Sequence, residues 1–232
     1  MGLTRYGLRE WGLLSLVLLP LAGAGAVMAL RSHPAWWALA AVAFILWFAG
    51  AAFFRDPWGR TPRTDVQTDM VSPADGKISA VFRAEHHPAT DGPAMVVRIF
   101  LSVLDVHLNR SPCQGVVERV THTPGRYLDA RLEESAKVNE SNLMVLRTPW
   151  GDPVGVRQVS GAIARRIVCP VEPGRRLERG ERYGMIKFGS TTELILAHPE
   201  KVAVRVKPGD RVVGGVTILA SVGGGGGHGR QV

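Results

Sequence analysis

Two apolar runs near the N-terminus, Trp11 to Leu30 and Ser32 to Phe54, constrain this chain more than anything else in it: neither carries a charge, and only Arg31 separates them. Each has about the 20 residues that a bilayer core demands. Together they are expected to form a helical hairpin, transmembrane or re-entrant. Ser32 is placed to N-cap the second helix, with Pro34 in its first turn, where a missing N–H costs nothing. Trp11, Trp36, Trp37 and Trp58 fall near the ends, where amphipathic rings favour the interface, and Trp47 falls inside. Arg5 and Arg9 precede the hairpin while Arg55, Arg60 and Arg63 follow it, so the positive-inside rule sets both flanks in the cytoplasm. That predicts a protein of the cell membrane with its soluble part facing the cytoplasm. Arg31 in the connector runs against a full span unless it snorkels, and suits a re-entrant hairpin equally. A cleaved signal peptide, with Ala24-Gly25-Ala26 as the cut site, is the competing reading; the second run would still anchor the chain.

The net charge of +8 fits nucleic acid as readily as anionic lipid until its distribution is considered. Arg31, Arg55, Arg60 and Arg63 crowd the membrane boundary, and no aromatic-interleaved basic stripe or recognition-helix pattern follows, so nucleic acid is excluded as a partner. Cys113 and Cys169 lack metal-ligand spacing and read as buried thiols in a reducing compartment; no metal is expected.

After Pro62 the chain becomes a series of short β-branched runs between Gly, Pro and Asp: residues 77–82, 95–101, 115–122, 143–148, 154–159, 163–168, 192–196 and 202–206. The fold class expected is mainly β, with residues 129–141 as a polar stretch, helical or loop-like. The stretch from Glu172 to Gly184 parallels that from Val206 to Gly215, and Ser72-Pro73-Ala74-Asp75-Gly76 reads as an opening turn for such units. This rhythm resembles lipoyl-type barrel-sandwich hybrids. The organisation predicted is a hairpin and linker over residues 1–62, a β domain over 63–221, and a disordered glycine-rich tail over 222–232.

Gly189-Ser190-Thr191 is the motif with chemistry in it. A serine after glycine can attack the preceding carbonyl, because glycine adopts the strained backbone geometry that an N-to-O acyl shift requires. Removal of the Ser190 α-proton from the resulting ester would then release the upstream chain. The dehydroalanine left behind hydrolyses to a pyruvoyl group, a ketone able to condense with a substrate amine and act as an electron sink. Cleavage between Gly189 and Ser190 gives chains of residues 1–189 and 190–232, the second 43 residues long. Ser190 needs a base. His33 lies in the connector, His86 and His87 in a polar loop, His198 beside a proline and His228 in the tail, which leaves His107 and His122.

From Phe53 to Leu219 the chain resembles the phosphatidylserine decarboxylase family, in its short, compact branch. The resemblance is carried by Phe54-Arg55-Asp56-Pro57, Ser72-Pro73-Ala74-Asp75-Gly76 and Leu104-Asp105-Val106-His107-Leu108-Asn109-Arg110. It continues through Pro124-Gly125, Asn139-Glu140-Ser141-Asn142, Gly161 to Ile167, and Phe188-Gly189-Ser190-Thr191. It implies a self-cleaving pyruvoyl enzyme, its cofactor made from Ser190, that acts on an anionic serine phospholipid at the membrane and yields an ethanolamine phospholipid. It also favours His107 over His122 as the base and adds Asp75 as the third member of an Asp, His, Ser constellation. Asp105 is set aside as an orienter on the ground that neighbouring strand residues face opposite ways. Longer bacterial relatives carry a second histidine where Arg110 stands here, which leaves open whether His107 serves self-cleavage, decarboxylation or both.

Phosphate and carboxylate on such a lipid call for cations, and Arg165, Arg166 and Lys187 are the nearest by motif. The roles of Asn139, Glu140 and Asn142 are left open between loop ordering and catalysis, and so is oligomeric state, a homo-oligomer included. Two other readings compete. A membrane-anchored serine hydrolase would need a Gly-x-Ser-x-Gly elbow, and residues 187–191 have lysine and threonine where its glycines belong. A non-enzymatic lipoyl-like carrier would need an exposed lysine at a hairpin tip, and neither repeat shows a Met-Lys or Ala-Lys apex.

Overall fold

A computed structural model describes residues 2–162, 166–187 and 190–223. It separates into two compact units, Met1–Trp58 and Gly59–Val232.

In the first unit a short strand β1 (Gly2–Leu3) pairs with β2 (Arg55–Asp56) around two helices, α1 (Leu8–Arg31) and α2 (Trp36–Phe53). At 24 and 18 residues the helices are about 36 and 27 Å long. Both are long and apolar enough to cross a membrane. Small residues set their contact: Ala40 and Ala43 are buried, and a Cβ at Gly25 would meet the Ala40 nitrogen at 2.9 Å. Trp47, the tryptophan away from the ends, donates from Nε1 to Ser15 Oγ at 2.8 Å and packs against the Trp11 ring. Leu16, Val17, Ile45 and Phe48 point outward, exposed, an apolar surface that associates with a membrane. Ser32 does not start the second helix. Its Oγ donates to the Met28 carbonyl at 2.8 Å and so closes α1, while α2 begins four residues later.

The second unit is built from antiparallel strands. In chain order these are β3 (Asp69–Val71), β4 (Gly76–His87), β5 (Gly92–Leu101), β6 (Leu108–Arg110) and β7 (Gly115–Thr123), then the short helix α3 (Ser135–Val138). There follow β8 (Ser141–Arg147), β9 (Pro153–Val159), β10 (Arg166–Val168), β11 (Arg176–Leu177), β12 (Arg182–Lys187) and β13 (Ser190–Ala197). The last are β14 (Val202–Val204), β15 (Arg211–Val212) and β16 (Ile218–Val222). The expected run at 163–168 is described only from Arg166, and residues 224–232 of the expected tail lie outside the described residues.

An eight-stranded sheet has the order β11-β7-β8-β9-β13-β5-β4-β15, and two three-stranded sheets, β10-β12-β6 and β14-β16-β3, complete the unit. Leu177 and Val212, from the two outermost strands of the large sheet, join Ile99, Leu101, Val156, Leu194 and Leu196 from its middle in one buried cluster, so the sheet curls around its core. Irregular registers in β4 and β7 add to the bend.

The order is that of a duplicated unit. Gly174 donates to Val117 O and Val117 to Arg175 O at one edge; Gly209 donates to Ile78 O and Ile78 to Asp210 O at the other. Gly174 and Gly180 have positive φ, as do Gly209 and Gly215 at the matching turns. The opening turn is doubled too: Ser72 Oγ donates to Ala74 O at 2.6 Å, and Ser111 Oγ to Cys113 O at 2.7 Å. Both cysteines are free, and burial pushes the Cys113 thiol up to about 12.

Candidate active site

β13 lies between β5 and β9 near the centre of the large sheet, and all eight of its residues are buried. Alternation sends Thr192, Leu194 and Leu196 into the main core and Ile195 into a smaller cluster behind the sheet. Ser190, first in the strand and paired with Leu101 of β5, shares the face of Thr192. It has no exposed surface, and its Oγ has no hydrogen-bond partner among the described residues. Leaving a buried hydroxyl unpaired costs about 1–3 kcal/mol, so a serine held this way calls for a reason other than stability. Gly189 lies outside the described residues.

A chain of buried amides fixes this end of β13. Asn142 Nδ2 donates to Gln158 Oε1 at 3.3 Å, Gln158 Nε2 to Asn109 Oδ1 at 2.9 Å, and Asn109 Nδ2 to Thr192 Oγ1 at 3.1 Å. Four strands are joined by it: β8, β9, β6 and β13. Asn142, whose role the sequence left open, starts the chain. Gln158 and Thr192 escaped the sequence reading, and their signal was a polar residue at a core position of an apolar strand. Asn139 orders the preceding loop instead: it accepts from Leu128 N at 2.9 Å and donates to the carbonyls of Leu128 and Ser160.

His107 stands two residues before Asn109, and Ser190 two before Thr192, so each belongs to one of the two segments that the Asn109–Thr192 bond ties together. The imidazole is fully buried, and the His107 carbonyl accepts from Ile186 of β12. Its Nδ1 is 2.9 Å from the Asp105 carbonyl oxygen. A carbonyl only accepts, so Nδ1 carries the proton, and in the neutral ring Nε2 is the basic nitrogen. Asp105 therefore does orient His107, through its backbone. The two are separated by one residue in a turn, where strand alternation has no force; the Asp105 carboxylate instead accepts from Ser102 N and Oγ at 2.8 and 2.7 Å.

Asp75 is placed elsewhere in the network. Arg60 binds both its oxygens and Gly214 N donates to Oδ1 at 2.8 Å, so no hydrogen bond joins it to His107. The turn it occupies does adjoin β6, since Pro73 O accepts from Arg110 N at 2.9 Å. Gly76 closes the turn where a Cβ would lie 2.2 Å from Phe100 O. His122 is half exposed at the end of β7 and bonds Glu140 at 2.9 Å; the row His122, Asn142, Gln158, Thr192 sets it three strand spacings, about 14 Å, from β13. Arg110 is buried and donates to Gly180 O at 2.9 Å.

Arg166 and Lys187 face each other across β10 and β12, next to the segment that leads into Ser190; Lys187 is buried and Arg166 exposed. Arg165 lies outside the described residues.

Comparison with known proteins gives a consistent answer. The sequence profile described as phosphatidylserine decarboxylase matches residues 49–220. The phosphatidylserine decarboxylase proenzyme of Symbiobacterium thermophilum is 45% identical over 199 residues, 84% of this chain and 87% of that one. That of Solidesulfovibrio magneticus is 41% identical over 219 residues, covering 94% and 95%. That of Magnetococcus marinus is 38% identical over 195 residues, covering 82% and 86%.

Proposed function

Because the chain belongs to the phosphatidylserine decarboxylase family, we propose that it cuts its own backbone before Ser190 and then converts phosphatidylserine to phosphatidylethanolamine and carbon dioxide. The observation that carries this reading is the Ser190 hydroxyl, buried and without a hydrogen-bond partner among the described residues at the start of a central strand.

Ser190 Oγ attacks the Gly189 carbonyl carbon, the peptide nitrogen takes the proton, and an ester replaces the amide. Loss of the Ser190 α-proton expels the Gly189 carboxylate, and water then releases ammonia and leaves a pyruvoyl group on residue 190. The residues present fit such a group, since the side chain of residue 190, where it would form, is fully buried and its hydroxyl has no hydrogen-bond partner among the described residues. When formed, the pyruvoyl supplies an electron sink for the pair left behind as carbon dioxide departs. His107 moves protons at Nε2, with Nδ1 pinned by Asp105 O. Arg166 and Lys187 attract the anionic head group. Asp75 acts on this site by anchoring the 72–76 turn beside β6.

Residues 1–189 and 190–232 stay together after the cut. β13 is hydrogen-bonded to β5 and β9, β15 to β4, and β16 to β3, so the smaller chain is woven through the larger. We read the doubled halves as a barrel-sandwich hybrid, and the N-terminal helices as a hairpin that anchors the β domain on the cytoplasmic side, from the arginines that flank it. The test is release of labelled carbon dioxide from carboxyl-labelled phosphatidylserine by the membrane-embedded protein. Release by wild type and none by Ser190→Ala supports the reading; equal release by both contradicts it.

A further inference from the structure

Behind the sheet, on the face opposite the Ser190 side chain, a cleft of about 750 Å³ runs along β4 and β5 beneath residues 130–137. A second of about 390 Å³ continues past the end of β5, and the two share Phe100, Ala130 and Arg131. Their walls are amphipathic. Phe82, Phe100 and Leu132 supply apolar surface, while Lys77, Arg98, Arg131 and Lys137 face a single acid, Glu133, in the larger cleft.

Two of those cations are already engaged, Arg98 with Glu193 at 2.8 Å and Arg131 with Asp129 at 2.6 Å. Lys77 and Lys137 have no ion-pair partner among the described residues. Phe100 pairs with Lys77 on one side and with Thr191 on the other, so Lys77 is two strand spacings, about 10 Å, from the neighbour of Ser190. The smaller cleft lies at the sheet end, where it is lined by Ser102 and by Leu101, the cross-strand partner of Ser190.

We propose that this paired cleft seats the glycerophosphate and adjoining acyl chains of the phospholipid substrate, with Lys77 and Lys137 taking the phosphate and the serine head group reaching residue 190 around the end of β5. The inference rests on the decarboxylase reading. An anionic head on an apolar body matches a wall with two uncommitted cations above aromatic and aliphatic side chains.

The test uses the full chain in vesicles that carry a phosphatidylserine with a photoactivatable diazirine in its acyl chain, and maps the labelled peptides by mass spectrometry. Label is expected at residues 77–82 and 130–137. In Lys77→Glu/Lys137→Glu that label should fall at least tenfold, on the order of one lost charge-assisted contact or more since two are removed, and KM for phosphatidylserine should rise by a similar factor. Self-cleavage should continue and so report folding, and Lys77→Arg/Lys137→Arg should restore both readouts. Label elsewhere, label unchanged in the glutamate variant, or equal label from a phosphate-free diacylglycerol probe would overturn the assignment. Absence of carbon dioxide from wild type would instead count against the decarboxylase reading, since labelling needs no turnover and still decides the cleft.

Discussion

Asp75 gives both carboxylate oxygens to Arg60, with Oδ2 2.7 Å from Nη2, and accepts a third hydrogen bond from Gly214 N. A carboxylate so engaged holds the 72–76 turn through Arg60 and Gly214. Arg60→Met and Asp75→Asn should therefore have like effects. Breaking a buried ion pair costs about 3–5 kcal/mol, here discounted to about 1–3 because the side chains keep 11% and 14% of their exposure. Thermal melts of both variants in detergent should show comparable losses, with slower self-cleavage in each. A stable Asp75→Asn that fails to cleave, beside an unaffected Arg60→Met, would return Asp75 to a direct partnership with His107.

The imidazole of His107 is oriented by a main-chain oxygen. Replacing the side chain of Asp105 should then leave proton transfer nearly intact, and Asp105→Asn is expected to cleave and decarboxylate close to wild type. His107→Gln should lower decarboxylation by about 10²–10⁴ fold, the usual worth of a general acid or base. Single-turnover rates on enzyme already cleaved separate this from processing. An Asp105→Asn as impaired as His107→Gln would contradict the backbone role.

Gln158 both accepts from Asn142 and donates to Asn109. Gln158→Leu leaves two buried amides short of a bond, about 1–3 kcal/mol each, and frees the Asn109–Thr192 contact to shift. Lower stability together with slower appearance of the 190–232 chain is the expected result. Normal cleavage in a variant destabilised to that extent would detach the amide chain from the positioning of Ser190.

Much of this was legible in the sequence, for reasons visible in particular residues. The β-branched runs became β4, β5, β7, β8, β9, β13 and β14, because half-buried pleats favour those side chains. The repeat spanning Gly174 and Gly209 proved to be the two edges of one sheet. Its partner turn at Ser111-Pro112-Cys113-Gln114-Gly115 was hidden, since it shares only serine, proline and glycine with Ser72–Gly76. β12 and β16 were missed as well: glycines interrupt their neighbourhoods, and neither shows plain alternation. Side-chain partnerships such as Asp75 with Arg60, or His107 with a carbonyl, depend on how distant turns meet, and spacing along the chain does not encode that.

Acid should act on the sheet β14-β16-β3 through Asp69. Burial works to raise its pKa, but bonds from Ser221 and Thr64 together with the charges of Arg205 and Arg179 outweigh it and lower the value below the ordinary 3.8. The stability this contributes is present above that ordinary value and is lost as pH falls through the lowered one. Asp69→Asn should thus melt below wild type at neutral pH, with the gap closing under about pH 4. A gap that is constant with pH would remove the carboxylate's charge from the explanation.

The most direct measurement is the intact mass of the purified, denatured protein before and after borohydride treatment in the presence of an amine. The account predicts two chains, residues 1–189 and 190–232, the smaller with a blocked N-terminus that gains the mass of the reduced amine adduct. A single unbroken 232-residue chain that still releases carbon dioxide from phosphatidylserine would contradict it.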